Sequence, residues 1–287
     1  MRADARQRSI GEPRWARTVL AALAVAVLAV MLVLPLAVVF TEALAPGLRV
    51  FAAALRDPDA AAAVRLSLLV AAIAVPVNTV FGLAAAWCLT RHRFPGRGLL
   101  RALVGLPLSV SPVVAGLAYV LLFGRQGWFG PALAAMGVQV VFALPGLVLA
   151  TLFVTLPYVA AQLIPLMEAL PPDEEEAALT LGASGWQMFR WVTLPRLRWG
   201  LLQGVLLCTA RAMGEFGAVA VVSGHIRGLT TTMPLHIEML YNEYDLPAAF
   251  GMAALLALLA VVTMATKGVL EWRRDRAVAR GEASVLA

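Results

Sequence analysis

Apolar residues fall along this chain in long unbroken runs separated by short polar connections. Six runs reach the length of about 20 residues that carries an α-helix across a bilayer. They lie at roughly 18–40, 66–89, 102–123, 140–162, 199–222 and 248–266. The two-residue alternation of a transmembrane strand is missing, which argues against a β-barrel. The pattern therefore predicts an all-α integral membrane protein with six transmembrane helices. The first run follows a basic leader, "MRADARQRSIGEPRWAR", and "ALA" at 43–45 resembles a signal-cleavage site. That run is longer than the roughly 7–15 residues of a signal core. Pro46 also follows the site directly, so an uncleaved first span is expected. Polar tails are expected at 1–17 and 267–287. No inverted or tandem repeat relates the two halves of the chain.

Two runs carry residues that ordinary spans avoid. Span three contains Pro107 and Pro112. Proline removes a backbone donor and kinks a helix, which lipid tolerates where neighbouring helices satisfy the freed carbonyls. Gly105, Ser109, Pro112 and Gly116 recur there at helical spacing, with Ser111 beside them, and predict one small, weakly polar face. Close helix packing through small residues is the favoured reading of that face. A pathway lined by Ser109, Ser111 and Pro112 is the functional one. Span five places Gly204, Cys208, Arg211, Glu215 and Ala218 on one predicted face. Intramembrane charges rarely face lipid, so Arg211 and Glu215 are read as a pair that lines or gates a pathway. Between spans, 51–65 predicts an amphipathic helix or turn. The segment 230–247 predicts a short helix at the outer surface, with Thr232 as N-cap and Pro234 in its first turn.

The connection between spans four and five stands apart. "PPDEEEAALTLGASGWQMFRWVTLP", residues 171–195, places three glutamates together in a chain that is 61% apolar and 14% charged. Pro171 and Pro172 end the preceding span. Asp173 is expected to cap a helix whose first turn holds Glu174 to Glu176, where the helix dipole favours negative charge. Ala177, Ala178 and Leu181 share a predicted face, and Gly182 suits a left-handed terminator. Ser184 to Gln187 reads as a capping box for a second helix. Leu194-Pro195 is expected to end that helix before span five. Two short helices with a small-residue surface suit docking into a groove on a partner. A hairpin lying on lipid headgroups is the competing reading. The insert is acidic and tethered at both ends, which sets aside a DNA-binding helix-turn-helix.

Charge adds an orientation. Basic residues gather in cytoplasmic loops. Of the 23 lysines and arginines, most fall in the N-tail, the loop after span two (Arg91, Arg93, Arg97, Arg101), the insert (Arg190, Arg196, Arg198) and the C-tail. Both termini and the insert are thus expected in the cytoplasm. The net charge of +6 follows from this topology and needs no nucleic-acid partner. Cys88 and Cys208 lie within spans and suggest neither a disulfide nor a redox motif. His92, His225 and His236 lack metal-ligand spacing, so no metal site is expected.

Glu176-Ala177-Ala178, three residues, Gly182, nine residues, then Val192, one residue and Leu194-Pro195 match a gapless motif. It resembles the cytoplasmic EAA loop of bacterial ABC importer permeases. "GASGWQMFRWVTLP", "RAMGEFGAVAVVSGHIRG" and "LPLSVSPVVAGLAYVLLFGRQGWFGP", with the "LHIEMLYNEYDLPAAFGMAALLALLAVVT" region, resemble the W-type subunits of sulfate/thiosulfate permeases. The resemblance implies a type I importer transmembrane domain over 62–268, preceded by an extra span and external segment in 1–61 and followed by a tail at 269–287. It implies that Glu176, Ala177, Ala178, Gly182, Leu194 and Pro195 form the element that sits in a cleft of an ATPase subunit. The partners implied are a second, T-type permease subunit, two ATPase subunits and a periplasmic sulfate-binding protein, in the bacterial inner membrane. ATP and magnesium would be bound by the ATPase. This chain has no GxxxxGK[ST] loop and a single lysine, Lys267, and is read as a non-catalytic subunit without a cofactor of its own. A molybdate/tungstate permease is the nearest alternative. An ion-coupled secondary transporter is a further one, with Glu215 as its ionisable group.

The arginine distribution gives a direct test of topology. A cysteine introduced near Asn242 should react with an impermeant thiol reagent applied from outside the cell, and one near Ser184 should not. The reverse pattern would overturn the orientation.

Overall fold

The structure is a computed structural model and describes residues 14–279. Among these residues every regular element is helical. The first span is α1 (Arg14–Leu28), a wide π-type turn (Ala29–Val33) and α2 (Leu34–Leu44). A short α3 (Leu48–Arg56) leads into α4 (Pro58–Arg91). Next come α5 (Arg97–Gly105), α6 (Pro112–Phe123), α7 (Gly130–Ala135) and α8 (Leu144–Ala169). The insert holds α9 (Asp173–Thr180) and α10 (Gly185–Met188), and α11 (Leu194–Met213) follows. The chain ends with α12 (Gly217–Ser223), α13 (Met233–Asn242) and α14 (Leu246–Ala279). Of the tails expected at 1–17 and 267–287, residues 1–13 and 280–287 lie outside the described residues, and 14–17 and 267–279 are helical, continuing the spans beside them.

Four helices are long and apolar enough to cross a membrane, and six crossings result if each of two bent pairs counts as one. The bend in span three agrees with the kink expected from its prolines, whereas both bends correct the continuous helical faces expected in spans three and five. In span three, Arg97–Leu108 and Pro112–Phe123 meet at 105°. Ser111 adopts ψ 132°, the extended conformation that a following proline enforces, and α6 starts at Pro112. Gly105 and Ser109 therefore share no helical face with Pro112 and Gly116. In span five the helix stops at Met213 and restarts at Gly217, with a 48° bend. Glu215 thus lies in the break rather than one turn along from Arg211 on the same helix.

Proline also acts through the two π-type turns. Ala29–Val33 precedes Leu34-Pro35, and Phe189–Thr193 precedes Leu194-Pro195. A proline cannot donate to the carbonyl four residues back, and its ring crowds that group. One widened turn relieves the crowding, and the amides of Leu34 and Leu194 bond to carbonyls five residues earlier. Leu194-Pro195 consequently does not end the second helix of the insert. That helix runs without interruption from Gly185 to Met213.

The core is built around α4 and α8, with α11 laid across both. Ala86, Val159, Leu163, Met167, Leu197 and Cys208 form its centre. A second cluster joins Val70, Leu147, Val154, Ala218 and Leu235. Where α4 meets α8, Asn78 Nδ2 donates to Thr155 Oγ1 at 2.7 Å and to Leu152 O at 3.1 Å. The first span lies outside this core, with none of its apolar window buried. The short helix expected within 230–247 forms at Met233–Asn242 and packs into the bundle, burying Met233, Leu235, His236 and Leu240. Thr232 occupies its N-cap position but makes no capping bond through its side chain. Ser67 of α4 takes that role, its Oγ accepting from Met233 N at 2.8 Å.

The α4–α8 contact depends on Gly82. A Cβ there would lie 2.7 Å from Val159 Cβ and 2.9 Å from Ala160 N, so the two helices would have to separate. Overpacking of this kind costs about 1–3 kcal/mol. Gly82→Ala should lower the thermal midpoint in detergent. Gly98→Ala, where nothing lies within 4 Å, should not. Equal midpoints for the two variants would contradict the close approach.

Candidate functional site

Two features hold the unusual polar residues: the hairpin at 171–195 and the break in span five. In the hairpin, α9 begins at Asp173, and Pro172 rather than Asp173 occupies the cap position, without a side-chain bond. All four acidic residues, Asp173 to Glu176, fall in the first turn, where the exposed amides favour them. Successive helix positions point about 100° apart, so the three glutamates face different ways. Glu176 and Glu174 face outward, whereas Glu175 is buried at 5% exposure.

Glu175 is held from two sides. Arg91, the last residue of α4, approaches it with Nε 2.8 Å from Oε2 and Nη2 3.2 Å from Oε1. Thr193 Oγ1 donates to Oε1 at 2.9 Å. Arg91 Nη1 also donates to Met167 O at 3.1 Å, reaching the end of α8. Nearby, Arg196 pairs with Glu174 at 3.3 Å and donates to Pro171 O. Glu168 pairs with Arg101 and, at 3.9 Å, with Arg97 on α5. Sequence reasoning assigned none of these ties, because Arg91 stands 84 residues from Glu175.

The turn closes on Gly182 at φ +87°, a conformation that only glycine adopts without strain. Gly182 N bonds to Leu179 O and Ala183 N to Ala178 O, both at 3.0 Å, which is the paired bonding of a Schellman end. Ser184 and Gln187 then form both bonds of a capping box. The small face expected from Ala177, Ala178 and Leu181 is divided. Ala177 and Leu181 face solvent and Ala178 is half-buried. Leu179, Leu181, Trp186 and Trp191 form an exposed apolar rim around Ala177 and Gly182. Trp186 stacks on Phe189, whose ring meets Trp87 of α4 edge-on at 5.3 Å. Val192 and Leu194 are half-buried, while Pro195 is exposed. The hairpin thus presents an apolar, small-residue tip and anchors its base in ion pairs.

In span five, Arg211 Nη1 lies 2.6 Å from Glu215 Oε2. Glu215 is 2% exposed, and its Oε1 also accepts from Ala218 N at 2.9 Å. One carboxylate neutralises the arginine and completes the first turn of α12. Arg211 keeps part of its side chain exposed. The two broken spans meet at their breaks. A Cβ on Gly217 would lie 3.1 Å from Pro112, and one on Gly116 would lie 2.7 Å from Ala218 O. Gly116 therefore serves close packing of α6 on α12. Ser109 and Ser111 are exposed beside this junction, and among the described residues no hydrogen bond links either to Arg211 or Glu215.

Residues 78–276 match the family described as binding-protein-dependent transport system inner membrane component. The chain is 54% identical over 254 residues to the sulfate transport system permease protein CysW of Synechocystis sp., covering 88% of this chain and 92% of that protein. It is 40% identical over 222 residues to the sulfate transport system permease protein CysT of Escherichia coli, covering 77% and 80% respectively. Among solved structures, a bacterial ABC transporter importing the acidic polysaccharide alginate superposes with a TM-score of 0.73. It covers 91% of this chain and 96% of that one at 16% identity, a likeness of fold.

The Arg211–Glu215 geometry makes a stability prediction. Removing one partner of a buried pair costs about 3–5 kcal/mol, because the other charge remains buried alone. Arg211→Met should therefore lower the thermal midpoint in detergent clearly more than Arg211→Met combined with Glu215→Gln. Equal losses in the single and double variants would show that the two side chains are not coupled.

Proposed function

The chain belongs to the family of inner membrane components of binding-protein-dependent transport systems, and from that membership we propose that it is the permease subunit of an ATP-driven importer of sulfate and thiosulfate. The observation that carries the substrate class is the 54% identity, over nearly the whole chain, to a sulfate transport permease. The likeness to a T-type permease at 40% identity supports pairing with a second, related permease subunit. Each subunit would receive an ATPase on its hairpin, and a periplasmic binding protein would deliver the anion. ATP and magnesium belong to the ATPase, and this chain carries out no hydrolysis. The arginine distribution supports placement in the bacterial inner membrane with both termini in the cytoplasm.

Each polar feature takes a role in this reading. The apolar rim of the hairpin enters a groove of the ATPase, with Ala177 and Ala178 allowing close approach and Glu176 available to a basic partner. Gly182 preserves the angle between the two short helices. Arg211 and Glu215, at the break in span five, stand beside the Pro112–Gly217 junction where two kinked spans meet. Breaks of this kind are places where a span bends or rotates. Arg211 lends transient positive charge to a passing dianion, while Glu215 keeps it from binding tightly.

Uptake of labelled sulfate in a permease-deletion strain carrying this chain tests the substrate class. Sulfate uptake should be restored and should be inhibited by thiosulfate more strongly than by molybdate. Preferential molybdate uptake would replace the reading with that of a molybdate/tungstate permease. In the same assay Gly182→Val should leave the protein in the membrane and ATP hydrolysis measurable while uptake falls to background. Normal uptake at wild-type abundance would remove the hairpin from coupling.

A further inference from the structure

Glu175 does not belong to the hairpin's exposed docking rim, yet it is the most buried of the acidic residues in α9. Its environment explains why. Arg91 Nε and Nη2 both reach its carboxylate, Thr193 donates to it, and Arg91 continues to the carbonyl of Met167. Four elements therefore converge on one side chain: the end of α4, the end of α8, the start of α9 and the π-type turn that opens into α11. One guanidinium hydrogen bond from Nη2, the close ion-pair approach of Nε and the Thr193 hydroxyl together hold the carboxylate from two sides.

The position of Thr193 gives this convergence its meaning. It is the last residue of the widened turn, where Pro195 has removed a helical hydrogen bond. That turn is where the regular bonding of the helix between the hairpin and span five changes. Glu175 bridges it from the side. On the opposite flank, the chain leaves helical conformation between α8 and α9, where Pro171 and Pro172 lie, so the hairpin is not a helical continuation of span four. Without Glu175, the hairpin would join the bundle through the two altered stretches of chain, the more exposed tie of Arg196 to Glu174 and Pro171 O, and the contact of Trp87 with Phe189. Burial of an ion pair is a poor source of net stability, because apolar replacements often serve as well. What it supplies here is a fixed angle.

α4 is the element that makes this angle matter. Its 34 residues run about 50 Å at about 1.5 Å per residue. It carries Arg91 at one end, the Asn78 clasp on α8 in its middle, and Ser67, the cap of α13, nearer the other.

We infer that Glu175, held by Arg91 and Thr193, is a positioning residue that makes the hairpin rigid with α4, so that force applied to the hairpin moves spans two, four and five as one body. The inference rests on the coupling role proposed for the hairpin. With side chains 16% and 7% exposed, Arg91 and Glu175 are assigned to transmission rather than to contact with the ATPase.

The test uses the complete importer, with both permeases, its ATPase and its binding protein, reconstituted in vesicles. The reading is anion transported per ATP hydrolysed. Arg91→Met and Glu175→Gln should each lower that ratio about tenfold or more, the effect of losing one buried charge-assisted contact. Hydrolysis and the amount of co-purified ATPase should persist. Arg91→Lys should recover part of the ratio and Arg91→Met none, a graded rescue that a purely structural role would not produce. Thr193→Val keeps both charges and nearly the same volume, so it should assemble even if the others do not, with a ratio reduced two- to threefold, about the effect of one hydrogen bond. A wild-type ratio in any assembled Arg91→Met or Glu175→Gln complex overturns the inference, and so does a wild-type ratio for Thr193→Val. A cysteine at Leu181, cross-linked in every variant, separates the two readings. A cross-link to the ATPase with an unchanged ratio sinks the positioning role alone, whereas no cross-link even in the wild-type background sinks the coupling role of the hairpin itself.

Discussion

The packing of α4 against α8 sets the position of nearly everything else. Gly82 brings the two backbones together, and Asn78 bonds across to Thr155 and to a carbonyl of α8. In hydrocarbon such a clasp has no competing water, and small residues allow the contact that makes it possible. α11 then lies across both helices, with Gly204 close to the backbone of Val159. From that frame the chain projects its hairpin at one end and draws α13 in at the other through Ser67. The first span takes no part in the frame and lies along α14.

Two buried carboxylates inside this bundle each serve two partners. Glu215 neutralises Arg211 and closes the first turn of α12. Glu175 neutralises Arg91 and holds Thr193. Both carboxylates stand at discontinuities in the helices, where amides or soft turns need a partner. A charge placed at the break in a span costs less than one in a continuous helix, because the break supplies hydrogen-bond donors that the helix interior has already used.

Much of this was legible in the chain before any coordinates. Apolar runs marked the all-helical membrane character and the positions of the spanning segments, four of them long single helices and two of them bent pairs. Gly182 and the Ser184–Gln187 box announced a turn between two short helices, because their chemistry is local. The four-residue spacing of Arg211 and Glu215 brought them together, although the helix that was to carry both ends between them. The failures share a cause. Pro112 and Gly214–Phe216 bend spans by amounts that sequence spacing does not encode, so faces counted across them were wrong. Leu194-Pro195 was read as a stop, but a widened turn absorbs it. Asp173 was given a capping role that Pro172 occupies. Glu175 could not be told from its two neighbours, because its partner lies at the far end of another helix. What was readable was local, and what was missed was either a bend or a contact across the fold.

The widened turn at Phe189–Thr193 adds one residue without adding a turn. An extra residue shifts everything beyond it by about 100° around the helix axis. The faces before and after the turn are therefore out of phase, and each can vary without dragging the other. Trp186 and Trp191 can be chosen for what meets the hairpin, and Gly200, Gly204 and Cys208 for what packs inside the bundle. In an alignment with a relative whose helix lacks the turn, the mismatch would show as a one-residue gap at this point, with both flanks keeping their own periodicity. A single helix thus presents two faces in different phase, joined ahead of a proline.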